Sequence, residues 1–365
     1  METIGSKMNL KELLAVLDDR KASDLHLKVD NHPFIRVDGV IEKLSKYPVL
    51  SNKDIQTLVS EVETDELKKR FKEDKEIDFA ISAGGNRYRL NVFTEKGQTA
   101  LVARRLVLDE RTFEALNLPP ILEKFANAPR GLVLLTGIAG SGKTTTISAM
   151  IEWINESKPA NIITIEDPIE YVHKDNKSII RQRELGADTM TYKRALKHIV
   201  RQDPDVIFIG EIRDQETMDS AMKAAELGNL VFSTLHTINA TETINRIIDL
   251  YPPHNQKQAR ILLSGALLGI VSLRLVQKKG GGRLPAVEVL YNTSTIKQYI
   301  LDPNETGNIK KAIIDGDYYG MQSFNQCLVR LVKEGQIELD TALRATDSEQ
   351  NLHLELKDAG IALTG

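Results

Sequence analysis

The chain has 365 residues, which at roughly 150 residues per domain predicts two domains with room for an appendage and excludes a single small module. Lys and Arg number 48 against 51 Asp and Glu, a net charge of −3, and 27 % charged with 41 % hydrophobic residues excludes both a disordered chain and a basic surface that coats nucleic acid. The single cysteine, Cys327, rules out an intramolecular disulfide and a cysteine zinc cluster, which fits a reducing compartment.

The N-terminus, METIGSKMNLKELL, carries Glu2, Lys7, Lys11 and Glu12 and has no apolar run of signal-peptide length, so export is not expected. Leu10, Leu13, Leu14 and Leu17 recur at i, i+3, i+4 and i+7 and predict an amphipathic helix. LHLKV and PFIRVDGVI alternate like strands, with Asp38-Gly39 as the hairpin turn. The charged stretch ETDELKKRFKEDKEID reads as a solvated helix. Two further strands, RYRLNVF and TALVARRLV, flank a loop at Gly97, and Pro119-Pro120 then breaks the pattern. This predicts an N-terminal α+β domain over 1–108 and a linker over 109–120.

From Gly131 the texture changes to short apolar runs alternating with helical segments, the signature of parallel β-α units. GLVLLT, NIITI, DVIFI and NLVFSTL are continuous rather than alternating, as strands buried on both faces should be. The helix-like segments between them are TTTISAMIEWINES, TYKRALKHIVRQ and ETMDSAMKAAELG, the last closed by Gly228. ILLSGALLGIVSL falls short of the ~20 apolar residues of a membrane span and reads as a buried helix. RLPAVEVLY is a further strand. The second domain is thus expected over 121–294, followed by a helical C-terminal region over 295–365.

GLVLLTGIAGSGKTTT places a Gly-rich loop between a strand and a helix, the context that a phosphate loop requires. Gly137, Gly140, Ser141, Gly142, Lys143, Thr144 and Thr145 are the candidate phosphate-binding residues. Backbone N–H groups of residues 138–144 at a helix N-terminus would wrap a phosphate, with Lys143 on the β- and γ-phosphates and the Thr144 hydroxyl on Mg²⁺. The metal also needs an acid at a neighbouring strand end. Glu211, ending DVIFIGE, and Glu166, ending NIITIE, are the two candidates. His236, in Ser233-Thr234-Leu235-His236, is expected on the same edge as a γ-phosphate sensor. Arg87, Arg89, Arg104 and Arg105 are candidate guanidinium donors for transition-state charge.

In order, GIAGSGKTTT, IITIEDPIEYVH, RQDPDVIFIGEIRD and STLHT followed by RIIDLYP resemble the four nucleotide-site boxes of the secretion and pilus motor ATPases. SDLHL, IRVDGVI, RYRLNVF and ALVARRL resemble the leading domain of the type IV pilus retraction motors, the PilT/PilU family, and the likeness runs from about residue 9 to 356. The resemblance implies an α/β fold: an N-terminal α+β PAS-like domain, then a RecA-like P-loop ATPase domain with a small helical C-terminal appendage. It implies a homohexamer that hydrolyses ATP with Mg²⁺ to retract pili in twitching motility. That ring would sit at the cytoplasmic face of the inner membrane, acting on a membrane-embedded pilus platform protein beside a possible second retraction ATPase, with no nucleic-acid partner.

Position by position, the resemblance puts Lys143 and Thr144 on phosphate and Mg²⁺, Glu166 on water activation, Glu211 on Mg²⁺, and His236 on the second histidine of the His box. Arg89 and Arg104 match the arginines aimed at the γ-phosphate. Asn229 stands where the family has the first histidine of that box, and Asn cannot take a proton near neutral pH. CLVRLVKEG, residues 327–335, departs from the AIRNLIREG of the PilT type, whereas GMQSFNQCL and ALRATDSEQNLHLEL resemble the PilU branch, an accessory retraction ATPase. The alternative reading is a pilus assembly or type II secretion ATPase; those relatives usually carry a four-cysteine zinc insertion, against one cysteine here. A GTPase switch lacks its guanine-reading motif, since neither Asn52-Lys53 nor Asn176-Lys177 is followed by the required aspartate.

Overall fold

The computed structural model describes residues 8–37, 39–106 and 112–361. Two units divide the chain: Met1–Asp109 with Pro168–Val172, and Glu110–Asp167 with His173–Gly365. No helix among the described residues is long and apolar enough to cross a membrane.

The first unit begins with α1 (Leu10–Asp19), where Asn9 accepts the Glu12 N–H at 2.9 Å as the N-cap. The expected stripe of Leu10, Leu13, Leu14 and Leu17 is wholly buried, each side chain contributing about 1.5–3 kcal/mol. It packs with Leu25, Ile35, Tyr88, Leu90 and Ala103 on one face of an antiparallel sheet. The strands are β1 (Asp24–Leu27), β2 (Phe34–Val37), β3 (Val40–Lys43), β4 (Glu76–Ala83), β5 (Asn86–Glu95) and β6 (Gln98–Leu106), in the spatial order β3-β2-β1-β6-β5-β4. Val37 pairs with Val40 around the anticipated hairpin turn, of which Asp38 lies outside the described residues. Residues 109–111 of the anticipated linker likewise lie outside them.

Two elements here escape the sequence reading. α2 (Asn52–Ser60) opens with a capping box in which Ser51 and Asp54 satisfy each other's backbone N–H groups. The charged stretch does form a helix, α3 (Asp65–Asp74), but its last residues enter β4. There Ile77 and Phe79 are buried while Glu76 and Asp78 face out, a period of two concealed by the charges that precede it.

The second unit is a seven-stranded sheet, ordered β13-β12-β7-β11-β10-β8-β9, with helices on both faces. Its strands are β7 (Gly131–Thr136), β8 (Asn161–Glu166), β9 (Ile179–Glu184), β10 (Val206–Ile209), β11 (Leu230–Leu235), β12 (Leu267–Gln277) and β13 (Arg283–Tyr291). All neighbours run parallel except β12 and β13. Leu132 and Leu134 enter the core on one side and Val133 and Leu135 that on the other, which is why the run is continuously apolar. α4 (Ile121–Asn127) and α5 (Lys143–Ser157) cover one face. The other is covered by α6 (Tyr192–Ile199), α7 (Gln215–Glu226), α8 (Ala240–Asp249), α9 (Gln256–Ala266), α10 (Ser294–Leu301) and α11 (Ile309–Ile314). The α/β reading therefore holds.

One expectation is corrected. ILLSGALLGIVSL is not a single buried helix: α9 stops at Ala266, and Leu267 starts β12 between β7 and β13. A continuous apolar run is compatible with either structure, and the sheet partners on both sides decide it. Gly269 permits the fit, because a Cβ there would meet the Phe125 ring at 2.4 Å and the Leu290 carbonyl at 2.7 Å. β9 carries no strand signal in the sequence, since its edge position leaves it half exposed and without an apolar run. Past β13 the described chain is helical. α12 (Phe324–Lys333), α13 (Leu339–Ala345) and α14 (Glu349–Asp358) pack on Val276, Leu284 and Ala286 of the β12–β13 hairpin. Cys327 is buried in this cluster, and burial pushes its thiol pKa up.

Glu288 is buried in β13, where its Oε1 accepts the N–H of Ala240, the first residue of α8, at 2.8 Å. Burial pushes its carboxyl from the ordinary 4.5 up to about 7; the Ala240 bond opposes this, Asp347 adds to it, and Arg274 and Lys310 oppose it. Between those two pH values the folded state holds more protons than the unfolded, so stability falls as pH rises, by about 3 kcal/mol in all. Glu288→Gln keeps the acceptor without the charge. Thermal melts of the variant are expected to exceed the parent by several degrees at pH 8 and to converge with it toward pH 5; a difference independent of pH contradicts the assignment.

Candidate active site

The phosphate loop joins β7 to α5. Gly137 has φ +145°, and a Cβ there would lie 2.4 Å from Ser141 Oγ and 2.5 Å from the Leu273 carbonyl, so only glycine admits this loop conformation. Gly140 and Gly142 follow, with Gly142 as the N-cap of α5, which places Lys143, Thr144 and Thr145 in the first helical turn. That turn directs its backbone N–H groups and the positive end of the helix dipole at the loop. The Lys143 side chain is buried, and its Nζ donates to the carbonyls of Gly137 at 2.7 Å and Ile138 at 3.0 Å. Ser141 Oγ is buried without a hydrogen-bond partner. A buried cation, an unsatisfied hydroxyl and a glycine cradle are the donor set that polyphosphate requires.

Parallel pairing sets the rest of the edge. Thr136 registers with Leu235, and Ile209 registers with Ser233 on one side and Ile165 on the other. Glu166, Glu211 and His236 consequently emerge at the same C-terminal edge as the phosphate loop, where α/β sheets bind ligands. Glu166 ends β8 and is buried; its Oε1 accepts Thr164 Oγ1 at 2.7 Å and Gln182 Nε2 at 3.1 Å. Glu211 lies two residues beyond β10, with its carboxylate 2.7 Å from Arg213 Nη2 and 3.5 Å from His236 Nε2. The hydrogen bond to Glu211, and then the Glu211 charge, raise the pKa of Arg213.

The sequence reading missed two residues here. Gln182 on β9 gave no signal because its strand was unrecognised. Tyr192, the first residue of α6, is held as a neutral phenol: burial raises its pKa first, then the charge of Asp167; Arg213 opposes, and Glu211 and Glu166 add. Tyr192 followed Thr191, the N-cap whose Oγ1 accepts the Arg194 N–H, but nothing local to that cap marks the acids that surround the phenol.

Asn229 stands at the other end of β11 from His236, its amide donating to the Pro204 carbonyl. The substituted His-box position therefore lies at the sheet edge remote from the phosphate loop in this chain. Arg89 and Arg104 belong to the first unit, where they face each other across β5 and β6. Arg89 pairs with Asp78 at 3.1 Å and Arg104 with Asp24 at 2.8 Å. Burial works to raise the Asp24 pKa, yet the hydrogen bonds from Arg104 and Ser23 and the Arg104 charge leave it lowered. Arg87 donates to the Ile169 carbonyl at 2.7 Å, and Arg105 to the Ala22 carbonyl at 3.0 Å.

No group of three or more His, Cys, Asp or Glu among the described residues could hold a metal ion by itself. The Thr144 hydroxyl and the Glu211 carboxylate at the loop's edge are hard oxygen donors that fit Mg²⁺, which is usually held by one or two protein groups together with substrate phosphates and water.

The type II/IV secretion system protein family matches residues 7–308. The chain is 39 % identical over 345 residues to the type IV pilus retractation ATPase PilT of Pseudomonas aeruginosa, spanning 94 % of this chain and 100 % of that one. It is 38 % identical over 352 residues to the type IV pilus ATPase PilU of the same organism, spanning 96 % and 92 %. Among solved structures, that of the pilus retraction motor PilT with bound ADP aligns at a TM-score of 0.87 and 41 % identity, over 95 % of this chain and 100 % of that one. With a family match over residues 7–308 and full-length relatives at 38–39 % identity, this chain belongs to the type II/IV secretion system protein family.

Proposed function

We propose that this chain is an ATPase that powers type IV pilus retraction. The observation that carries the chemistry is the convergence of Lys143, Glu166 and Glu211 on one sheet edge. The full-length likeness to PilT and PilU carries the choice of process. Backbone N–H groups of the loop and the Lys143 ammonium hold the β- and γ-phosphates. Glu166 orients a water and takes its proton as the water oxygen bonds to the γ-phosphorus. The bond from that phosphorus to the β–γ bridging oxygen breaks, and ADP and phosphate leave. Thr144 and Glu211 would hold Mg²⁺, which would supply positive charge against the phosphates. His236 is the candidate sensor of the γ-phosphate, and the family resemblance offers Arg89 and Arg104 as the guanidinium groups for transition-state charge.

The motor is proposed to act as a homohexamer at the cytoplasmic face of the inner membrane, on a platform protein at the pilus base. The PilU-like segments GMQSFNQCL and ALRATDSEQNLHLEL support an accessory role beside a second retraction ATPase. A deletion strain is expected to keep surface pili and lose twitching, with complementation by the parent chain and none by Lys143→Ala. Loss of pili instead of their accumulation identifies an assembly motor.

A further inference from the structure

We infer that Gln182 is a positioning residue for Glu166, holding the carboxylate through a two-ended amide bridge to the backbone N–H of His173. The inference rests on the reading of Glu166 as the group that takes the proton from water.

Strand geometry brings the parts together. Thr164 and Glu166 are two residues apart on β8, so their side chains leave the same face of the sheet. In the parallel pairing of β8 with β9, Gln182 stands opposite Thr164 and Glu184 opposite Glu166. Gln182 therefore sits on that face, one diagonal step from Glu166. Its Oε1 accepts the His173 N–H at 2.8 Å, and its Nε2 donates to Glu166 Oε1 at 3.1 Å. The direction of the amide is settled by chemistry: a backbone N–H only donates, so the oxygen must face His173 and the NH₂ must face the carboxylate.

The bridge has two consequences. First, Thr164 Oγ1 and Gln182 Nε2 converge on one carboxylate oxygen, which fixes the rotation of the carboxyl group about its last bond. A base held in this way meets its water at a set angle, and a misplacement of about 1 Å costs on the order of 10²-fold in rate. Second, both donors hydrogen-bond to the ionised form of this buried carboxylate, the form that can take a proton from water. Glu166 and His173 also bracket the segment Pro168–Val172, which groups with the first unit. Gln182 thus ties the two ends of that excursion to each other within the second unit.

The test is the single-turnover rate of ATP hydrolysis by the full chain as a function of pH, for the parent, Gln182→Leu, Gln182→Glu and Glu166→Gln. Gln182→Leu removes the donor and is expected to slow hydrolysis by about 10- to 100-fold, with ATP affinity within about threefold and the acidic limb of the profile moved to higher pH. Gln182→Glu keeps the acceptor for His173 but sets a second carboxylate against Glu166, so its acidic limb moves higher still. That order, parent below Leu below Glu, supports the bridge, and the Glu variant carries the test if the Leu variant does not fold. An acidic limb unmoved in both variants overturns the inference while Glu166→Gln remains inactive. Parent-like hydrolysis by Glu166→Gln overturns instead the reading of Glu166 on which it rests.

Discussion

Glu166→Gln is expected to lower the rate of ATP hydrolysis by about 10²- to 10⁴-fold while leaving ATP affinity within a few-fold of the parent, the range lost when a positioned general base is removed. Glutamine is isosteric and keeps an oxygen to accept from Thr164 Oγ1, which donates to Glu166 at 2.7 Å, so the local packing survives. What disappears is the basic lone pair. Nucleotide binding and steady-state turnover measured on the same preparation separate the two effects. Retained turnover removes Glu166 from the catalytic step and transfers the role to another acid of that edge, Glu211 first.

Lys143→Ala is expected to remove both binding and turnover. The ammonium is buried at the base of the loop and donates to the Gly137 and Ile138 carbonyls, so it also helps to hold the loop in shape. Removing one partner of a buried, hydrogen-bonded charge pair costs about 2–5 kcal/mol, or roughly 30- to 4,000-fold in ATP affinity. Lys143→Arg is expected to recover little of this, because a planar guanidinium does not fit a cradle shaped for a point charge. Calorimetric titration with ATP, with thermal melts to establish folding, reads the effect. Affinity within threefold of the parent would mean that the loop amides alone hold the nucleotide.

The two predictions differ in how directly the sequence supports them. Lys143 works within a contiguous loop whose strand, glycines and helix start are adjacent in the chain, so its environment is largely written in residues 131–146. Glu166 was recognisable as an acid ending an apolar run, but the donors that orient it were not. Thr164 is two residues away and locally visible; Gln182 is 16 residues away, on an edge strand whose mixed exposure left no apolar pattern. The same distinction runs through the fold. The stripe of α1 follows from its helical period and β7, β8, β10 and β11 from short apolar runs set between helical segments, whereas the apolar run of β12 continues directly from α9 with no period to separate the two.

Asn229 makes the point in the opposite direction. In the sequence it is a lost imidazole seven residues before His236, and the two read as parts of one motif. In the structure they occupy opposite ends of β11, because a strand rises about 3.3 Å per residue and separates its termini across the sheet. Arg104 shows a further limit: its type and strand were legible, but its pairing with the buried Asp24 depends on β1 lying beside β6.

The sequence by itself determined where the candidate groups lie along the chain: a Gly-rich loop between a strand and a helix, acids at strand ends, a histidine after a strand, and arginines in an earlier set of strands. These depend on local geometry, on which backbone N–H groups are left unpaired at a helix start and where an apolar run stops. The tertiary structure alone decided which groups share a carboxylate, which charge is buried at Glu288, and which apolar run becomes β12. Those outcomes depend on strand order and register, and residues far apart in the chain meet only after both are set.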